Sequence, residues 1–267
     1  MIWTQELLGR LPCEWMPVMA GESGDVVYRR GDGRAYAKVA TAARSGELSG
    51  ERDRLLWLQG KGILTPDVID WHVAEDGACL VISAIEGVPA AELSATDLLS
   101  AWPSMARQLG ALHALDAGQC PFDRSLARMF ERAADVVARN GVNSDFLPDD
   151  DRKTPATELL ARVERELALR LEQEARDRVV CHGDPCMPNF MVDPQILRCT
   201  GMIDLGRLGT ADRYADLALM TANARETWKT AEQERRAAAM LFETLGISAP
   251  DRARLDFYLR LDPLTWG

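Results

Sequence analysis

The sequence predicts an α+β chain of two lobes. An antiparallel-sheet lobe with one main helix covers residues 1–87, with a hinge at about 83–88, and a larger, mostly helical lobe covers residues 88–267. Three observations predict it. Short extended runs separated by glycine turns fill the front of the chain. Beyond Pro89 the apolar residues recur at the helical period. A length of 267 residues, 47% of them hydrophobic, suffices for two cores.

The front opens with Gly21-Glu22-Ser23-Gly24, short and flexible. Two extended runs follow, Val26 to Arg30 and Arg34 to Ala40, with Gly31-Asp32-Gly33 between them as a hairpin signal. A helix is expected from about Gly46, where Leu48, Leu55 and Leu58 recur near its period. ILTPDVIDWHV and ACLVISAIEG read as two more strands, and Gly87 closes the second. SATDLLSAWPSMARQLGALHAL begins with a Ser or Thr cap before Asp97 and continues as an amphipathic helix. PFDRSLARMFERAADVVARN is another helical pattern, and NSDFLPDDDRKTP is a polar, turn-rich loop. TPATELLARVERELALRLEQEARD reads as one long helix with Leu159, Leu160, Val163 and Leu167 on a stripe. VVCHGDPCMPNFMVD and TGMIDLGRLG are short apolar strands running into polar loops, and three helical segments end the chain.

The net charge of −10 argues against nucleic acid as a partner, because phosphate backbones select basic faces. It suits a cationic ligand. The N-terminus lacks a basic start followed by an apolar run, and no apolar stretch reaches membrane-spanning length, so a cytoplasmic protein is expected. In that compartment the six cysteines are expected to be thiols.

The chemistry concentrates in VVCHGDPCMPNFMVD, which permits three readings. Zinc could take Cys181, His182 and Cys186, but no second Cys/His cluster follows. A redox pair is disfavoured because Cys181 and Cys186 lack the Cys-x-x-Cys spacing. Phosphoryl transfer uses Asp184 and Asn189: in protein kinases a catalytic Asp accepts the hydroxyl proton, and an Asn five residues later ligates Mg²⁺. His182-Gly183-Asp184 through Asn189 reproduces that spacing. Ile203-Asp204-Leu205-Gly206 then matches the kinase Asp-Phe-Gly element with Leu at its centre, and Asp204 supplies a second oxygen ligand for metal. Upstream, Lys38 interrupts an apolar strand, an arrangement that demands a charged partner. Glu51 on the following helix can provide it. Each residue alone also has a bland reading, as a turn or a solvated face; their order along one chain favours the phosphoryl-transfer reading.

CHGDPCMPNFMVD followed by GMIDLGRLGTADRYADLAL closely resembles the aminoglycoside O-phosphotransferases, antibiotic-resistance kinases with a protein-kinase-like fold. The resemblance extends through AGESGDVVYRRGDG, GERDRLLWLQGKGI, CPFDRSL and APDRARLDFYLRLDPLTWG. Within that family the ending LRLDPLTWG and the run ESGDVVYRRGDGRAYAK look most like the members that phosphorylate the 3″-hydroxyl of streptomycin. The resemblance implies an ATP-dependent kinase using Mg²⁺, two ions, with Asp184 as general base and Asn189 and Asp204 as metal ligands. It implies that Lys38 contacts the nucleotide phosphates and Glu51 orients it, that Ser23 lies in the phosphate-covering turn, and that Tyr36 stacks on adenine. The backbone of Ser83 and Ile85 would read the adenine edge. Arg207 would lie near the transferring phosphate or the substrate, Glu226 and Asp262 would meet drug amino groups, and Asp216 would brace the loop. Another acceptor (a different aminoglycoside, a macrolide, choline or homoserine) and a non-catalytic nucleotide-binding module are the competing readings.

Overall fold

In the computed structural model, which describes residues 14–18 and 26–266, the glycine-turn hairpin forms where the sequence places it. Strands β1 (Trp15–Val18), β2 (Val26–Arg30) and β3 (Ala35–Thr41) lie antiparallel in sequence order. The β2–β3 turn is built by Asp32, whose carboxylate accepts the Arg34 N–H at 2.9 Å, and by Gly33 at φ +74°. Helix α1 (Ser45–Leu58) follows, then β4 (Val68–Ala74) and β5 (Gly77–Ser83), completing a five-stranded sheet in the order β1-β2-β3-β5-β4.

By its internal contacts the chain divides into two units. One comprises Met1–Val88 with Phe190–Gly206, the other Pro89–Asn189 with Arg207–Gly267. The first unit therefore also carries the antiparallel pair β8 (Phe190–Asp193) and β9 (Arg198–Met202); the chain leaves it at the two-residue β6 (Val88–Pro89). Alternation along β3 sorts its side chains. Ala35, Ala37 and Val39 enter a core with Cys79 and Val81, while Tyr36 and Lys38 take the opposite face.

The second unit is mostly helical: α2 (Ala95–His113), α3 (Leu126–Ala138), α4 (Ala156–Glu164), α5 (Leu167–Asp177), α6 (Arg213–Asn223), α7 (Ala231–Thr244) and α8 (Arg252–Leu261). One short antiparallel pair, β7 (Arg178–Cys181) with β10 (Gly209–Asp212), runs through it. Ser94 caps α2, accepting the Asp97 N–H at 3.2 Å. The Trp102 indole ties α2 to α7 by donating to the Ala237 carbonyl at 2.8 Å.

The single long helix expected over TPATELLARVERELALRLEQEARD is two helices, interrupted at Arg165 and Glu166. Leu159 and Val163 of the stripe are buried, and Leu160 and Leu167 pack partly buried against the same core; the fully buried residues of α5 are Arg170 and Glu174. At the break Glu166 accepts from both Arg170 and Arg260. Glu174 accepts the Leu126 N–H at the start of α3 at 2.8 Å. Tertiary charge pairing overrides the local helical pattern here.

Among the described residues no helix is long and apolar enough to cross a membrane, and no disulfide joins the described cysteines.

Candidate active site

The first unit assembles a three-charge cluster. The Lys38 ammonium donates to Glu51 Oε1 at 2.7 Å and Oε2 at 2.9 Å, and to Asp204 Oδ1 at 3.1 Å. Strand β3 aims Lys38 away from the core it lines with Ala37 and Val39, and α1 presents Glu51 one helical turn after Leu48. Burial alone would lower the Lys38 ammonium; the Glu51 and Asp204 carboxylates override it and hold the amine above its ordinary range. Asp204 sits at φ +62°, a left-handed conformation that Asp tolerates better than most residues. Its side chain is 46% exposed, so it remains reachable by a ligand while bonded to Lys38.

Tyr36 shares the Lys38 face of β3 and is half-buried. The Ser83 N–H already donates to the Asp67 carbonyl at 2.9 Å, so only its carbonyl can serve a nucleobase edge. Ile85 lies over Gly201, where a Cβ would come within 3.0 Å of its side chain. Ser23 lies outside the described residues.

The second unit builds the His182-Gly183-Asp184 loop at the end of β7. Asp216, fully buried in the first turn of α6, holds it by the backbone: Oδ2 accepts the His182 N–H at 2.7 Å and Oδ1 accepts the Gly183 N–H at 2.9 Å. Asp216 Oδ2 also meets His113 Nε2, at the end of α2, at 2.9 Å. The Asp184 N–H donates to His182 Nδ1 at 3.2 Å, so three successive loop amides have dedicated acceptors. Burial alone would raise the Asp216 carboxyl; the bond from His113, with His182 and the Gly183 amide, keeps it below the usual carboxylate value. Asp216 is itself fixed by the buried Asp212, which accepts the Tyr214 N–H, the Arg254 guanidinium and the Tyr258 hydroxyl and so pins the start of α6.

Gly183 is required twice. It adopts φ +87°, and a Cβ there would collide with the Arg207 carbonyl and lie 2.7 Å from its carbon. On the far side of Asp184 the loop closes on itself. The Asp184 carbonyl accepts the Cys186 N–H and the Asn189 side-chain amide, each at 2.9 Å. Because Asn189 Nδ2 is committed, its Oδ1 is the atom left to face a cation. The Met187 N–H donates to Asn223 Oδ1 at 2.7 Å, tying the loop to the end of α6. Glu226 follows, exposed, at the end of the short turn Ala224–Glu226, whose Ala224 is buried.

Arg207 and Asp262 meet each other. Arg207 Nη2 donates to Asp262 Oδ1 at 2.9 Å and to Thr265 Oγ1 at 3.1 Å, and the guanidinium lies 4.1 Å over the Trp266 ring. Asp262 Oδ2 accepts the Trp266 indole N–H at 3.0 Å. Asp262 is thus engaged internally on both oxygens, whereas Glu226 is exposed. Sequence reasoning overlooked Arg124, whose Nη2 donates to the Gly183 carbonyl at 3.1 Å and lies 3.9 Å from Asp262 Oδ1. It also gave His113 no role. Arg124 stands in CPFDRSL, a stretch read only as helical pattern and as family likeness; His113 ends a helix whose apolar pattern hides it.

Among the described residues no cysteine joins His182 in a metal-like cluster. Cys181 is buried with its thiol on the Asp212 carbonyl at 3.4 Å, and burial pushes it well above its ordinary value. Cys181 does approach His113 and Asp216 within 4.8 Å, but both Asp216 oxygens are occupied by N–H donors, as in a hydrogen-bonded brace.

A carboxylate on a braced loop with an asparagine amide bonded to its carbonyl, and separately a lysine fixed by two carboxylates, suit hydroxyl activation and phosphate binding. Comparison with known proteins agrees. The chain is 52% identical over 264 residues to the streptomycin 3″-kinase of Streptomyces griseus, covering 99% of this chain and 96% of that one. It is 37% identical to an aminoglycoside 3′-phosphotransferase of Streptomyces fradiae, covering 93% and 94%. The aminoglycoside phosphotransferase APH(3″)-Id of Streptomyces rimosus, solved with ADP and streptomycin, superposes with a TM-score of 0.93 at 47% identity, covering 100% of this chain and 98% of that one. The fold is accordingly the protein-kinase-like one that the resemblance implied. The phosphotransferase enzyme family profile matches residues 14–258, and the chain belongs to that family.

Proposed function

We propose that this chain transfers the γ-phosphoryl group of ATP to the 3″-hydroxyl of streptomycin and thereby confers resistance to the drug. The observation that carries the reading is the Asp184 loop, with every amide from His182 to Asp184 committed to a fixed acceptor, in a chain similar over its full length to a streptomycin 3″-kinase.

Asp184 orients the acceptor hydroxyl and takes its proton as the new P–O bond forms. Lys38 steadies the nucleotide phosphates, and Glu51 keeps the ammonium in place. Tyr36 stacks on the adenine ring; the Ser83 carbonyl and the Ile85 backbone read its edge. Ser23 belongs to the turn that covers the phosphates. Asn189 and Asp204 would hold Mg²⁺: both offer oxygen, the donor a small hard cation prefers, and Asn189 Nδ2 is bonded to the Asp184 carbonyl, which leaves Oδ1 as its metal-binding atom. When bound, two such ions neutralise charge on the phosphates. Arg207 would act near the transferring phosphate or the substrate. Glu226 offers an exposed carboxylate to the drug's guanidinium groups, with Asp262 a further acidic contact through lone pairs that Arg207 and Trp266 leave over.

Incubation of the protein with ATP, Mg²⁺ and streptomycin, followed by mass spectrometry, tests the reading. The expected product is streptomycin carrying one phosphoryl group, located by fragmentation on the 3″-oxygen. Phosphate on another hydroxyl, or on a different acceptor in a panel of aminoglycosides, macrolides, choline and homoserine, would replace the substrate assignment. Nucleotide binding without transfer to any acceptor would overturn the kinase reading.

A further inference from the structure

We propose that Arg124 is a positioning residue for the Asp184 loop, and that Asp262 serves it as the shared counter-charge that lets two arginines stand beside that loop. The proposal deepens the kinase reading and rests on it.

The loop is held from both sides of its backbone. Its amides face the Asp216 carboxylate, and the Gly183 carbonyl faces the Arg124 guanidinium at 3.1 Å. Gly183 also packs directly against the Arg207 backbone, with no room for a Cβ. Arg124 and Arg207 approach one carboxylate oxygen, Asp262 Oδ1, at 3.9 and 2.9 Å. Their side chains are only 14% and 21% exposed, so solvent screens their mutual repulsion poorly. Arg124 Nε and Arg207 Nη1 are buried without a hydrogen-bond partner; Asp262 is the carboxylate that approaches both guanidinium groups, with Asp216 adding a smaller attraction on Arg124. Consistently, burial and then the Arg207 charge pull Arg124 down to about 10, still cationic at neutral pH. Arg124 therefore fixes the peptide immediately before Asp184, and its ability to do so depends on Asp262.

This arrangement predicts a particular coupling between the two positions. Arg124→Met removes the donor to Gly183 and relaxes the loop. Asp262→Asn leaves two adjacent cations unneutralised and drives Arg124 off the carbonyl. In the double variant the repulsion is gone, so the second substitution adds little to the first.

The test is steady-state kinetics on the full chain, with ATP, Mg²⁺ and streptomycin, for wild type, R124M, R124K, D262N and R124M/D262N. The expected result is a kcat lower by about 10- to 100-fold in R124M, in the range that a displaced reacting group produces, with the KM for ATP within about twofold of wild type. R124K should recover part of that loss, D262N should lower kcat in the same direction as R124M, and R124M/D262N should have a kcat within about threefold of R124M at saturating streptomycin, where a lost drug contact of Asp262 appears in KM instead. Thermal unfolding of each variant checks that it is folded; should R124M fail to fold, the R124K and D262N kinetics carry the test. Unchanged kcat in folded R124M or R124K, or losses that multiply in the double variant, would overturn the proposal. A wild type without turnover would instead sink the kinase reading and is distinguished by that control.

Discussion

Asp216→Asn is the sharpest probe of how the candidate active site is held. The substitution is isosteric, so it opens no cavity and isolates the hydrogen bonds. In the native chain Oδ1 accepts one buried amide and Oδ2 accepts another together with His113. An asparagine keeps one oxygen, which is best used where two donors converge. Its NH₂ then faces the Gly183 N–H, donor against donor. A buried amide left without an acceptor costs about 1–3 kcal/mol, and each of the two remaining bonds loses about 1 kcal/mol as its acceptor becomes neutral. The sum is about 3–5 kcal/mol of stability. The strain falls on the peptide beside Asp184, where a displacement of about 1 Å lowers turnover by about 10².

Two measurements check this: denaturant unfolding of the full chain, and initial rates of drug phosphorylation, with Asp149→Asn on an 87% exposed side chain as control. The pH dependence supplies a second signature. Because the folded Asp216 carboxyl is held below its ordinary value of 3.8, its contribution is complete above that pH and is lost as the pH falls through the lower folded value. The variant should therefore unfold with a shallower acid dependence than wild type below 3.8. Turnover within about twofold of wild type, with an unchanged unfolding midpoint, refutes the reasoning that this carboxylate holds the loop.

Other variants separate the remaining roles. Asp184→Asn should lose about 10²–10⁴ in kcat while binding nucleotide normally by calorimetry, the range for loss of a general base; near-normal turnover removes Asp184 from the chemistry. Gly183→Ala must force φ +87° on a residue with a Cβ and push the Arg207 backbone aside, so it should lower the unfolding free energy by about 2–4 kcal/mol and turnover with it; a wild-type melting curve contradicts the geometry. Lys38→Met removes the cation that bonds both oxygens of the Glu51 carboxylate, 7% exposed, and should destabilise the protein by about 3–5 kcal/mol. K38M/E51L should regain most of that stability without regaining nucleotide binding, which thermal unfolding and calorimetry read separately. The folded Lys38 amine is held above its ordinary 10.5, so its contribution is complete below that pH and is lost only as the solution becomes more alkaline.

Much of this was legible in the sequence because its signals are local. The β2–β3 hairpin follows from Gly31-Asp32-Gly33, the start of α2 from the Ser94 cap, and the Asp184–Asn189 spacing from a single loop that closes through its own carbonyl. The Lys38–Glu51 pair was legible for a different reason: an ammonium on an otherwise apolar strand needs an anion, and the next helix carries one. Where the deciding contact lies far away in the chain, the local pattern misleads. The helical stripe through Leu159 and Leu167 runs unbroken in sequence, yet Glu166 leaves the helix to reach Arg260, 94 residues on. Arg207 and Asp262 were assigned separate partners because nothing local shows that they lie 2.9 Å apart across 55 residues.

The same distinction separates the groups that would do chemistry from the groups that aim them. Asp184 and Asn189 lie within one short loop and announce themselves by spacing. The groups that hold that loop have no such spacing: Asp216, which the resemblance marked as its brace, reaches it from 34 residues away in sequence and Arg124 from 59. A carboxylate on the amide side and a guanidinium on the carbonyl side polarise the same run of peptides in the same sense, so each strengthens the other's bonds. Both are buried or nearly so, which raises the penalty for losing either. Such a loop resists displacement in both directions, as preorganisation for a proton transfer requires. The carboxylate proposed to take the proton thus rides on a loop whose backbone is held by charges distant in sequence.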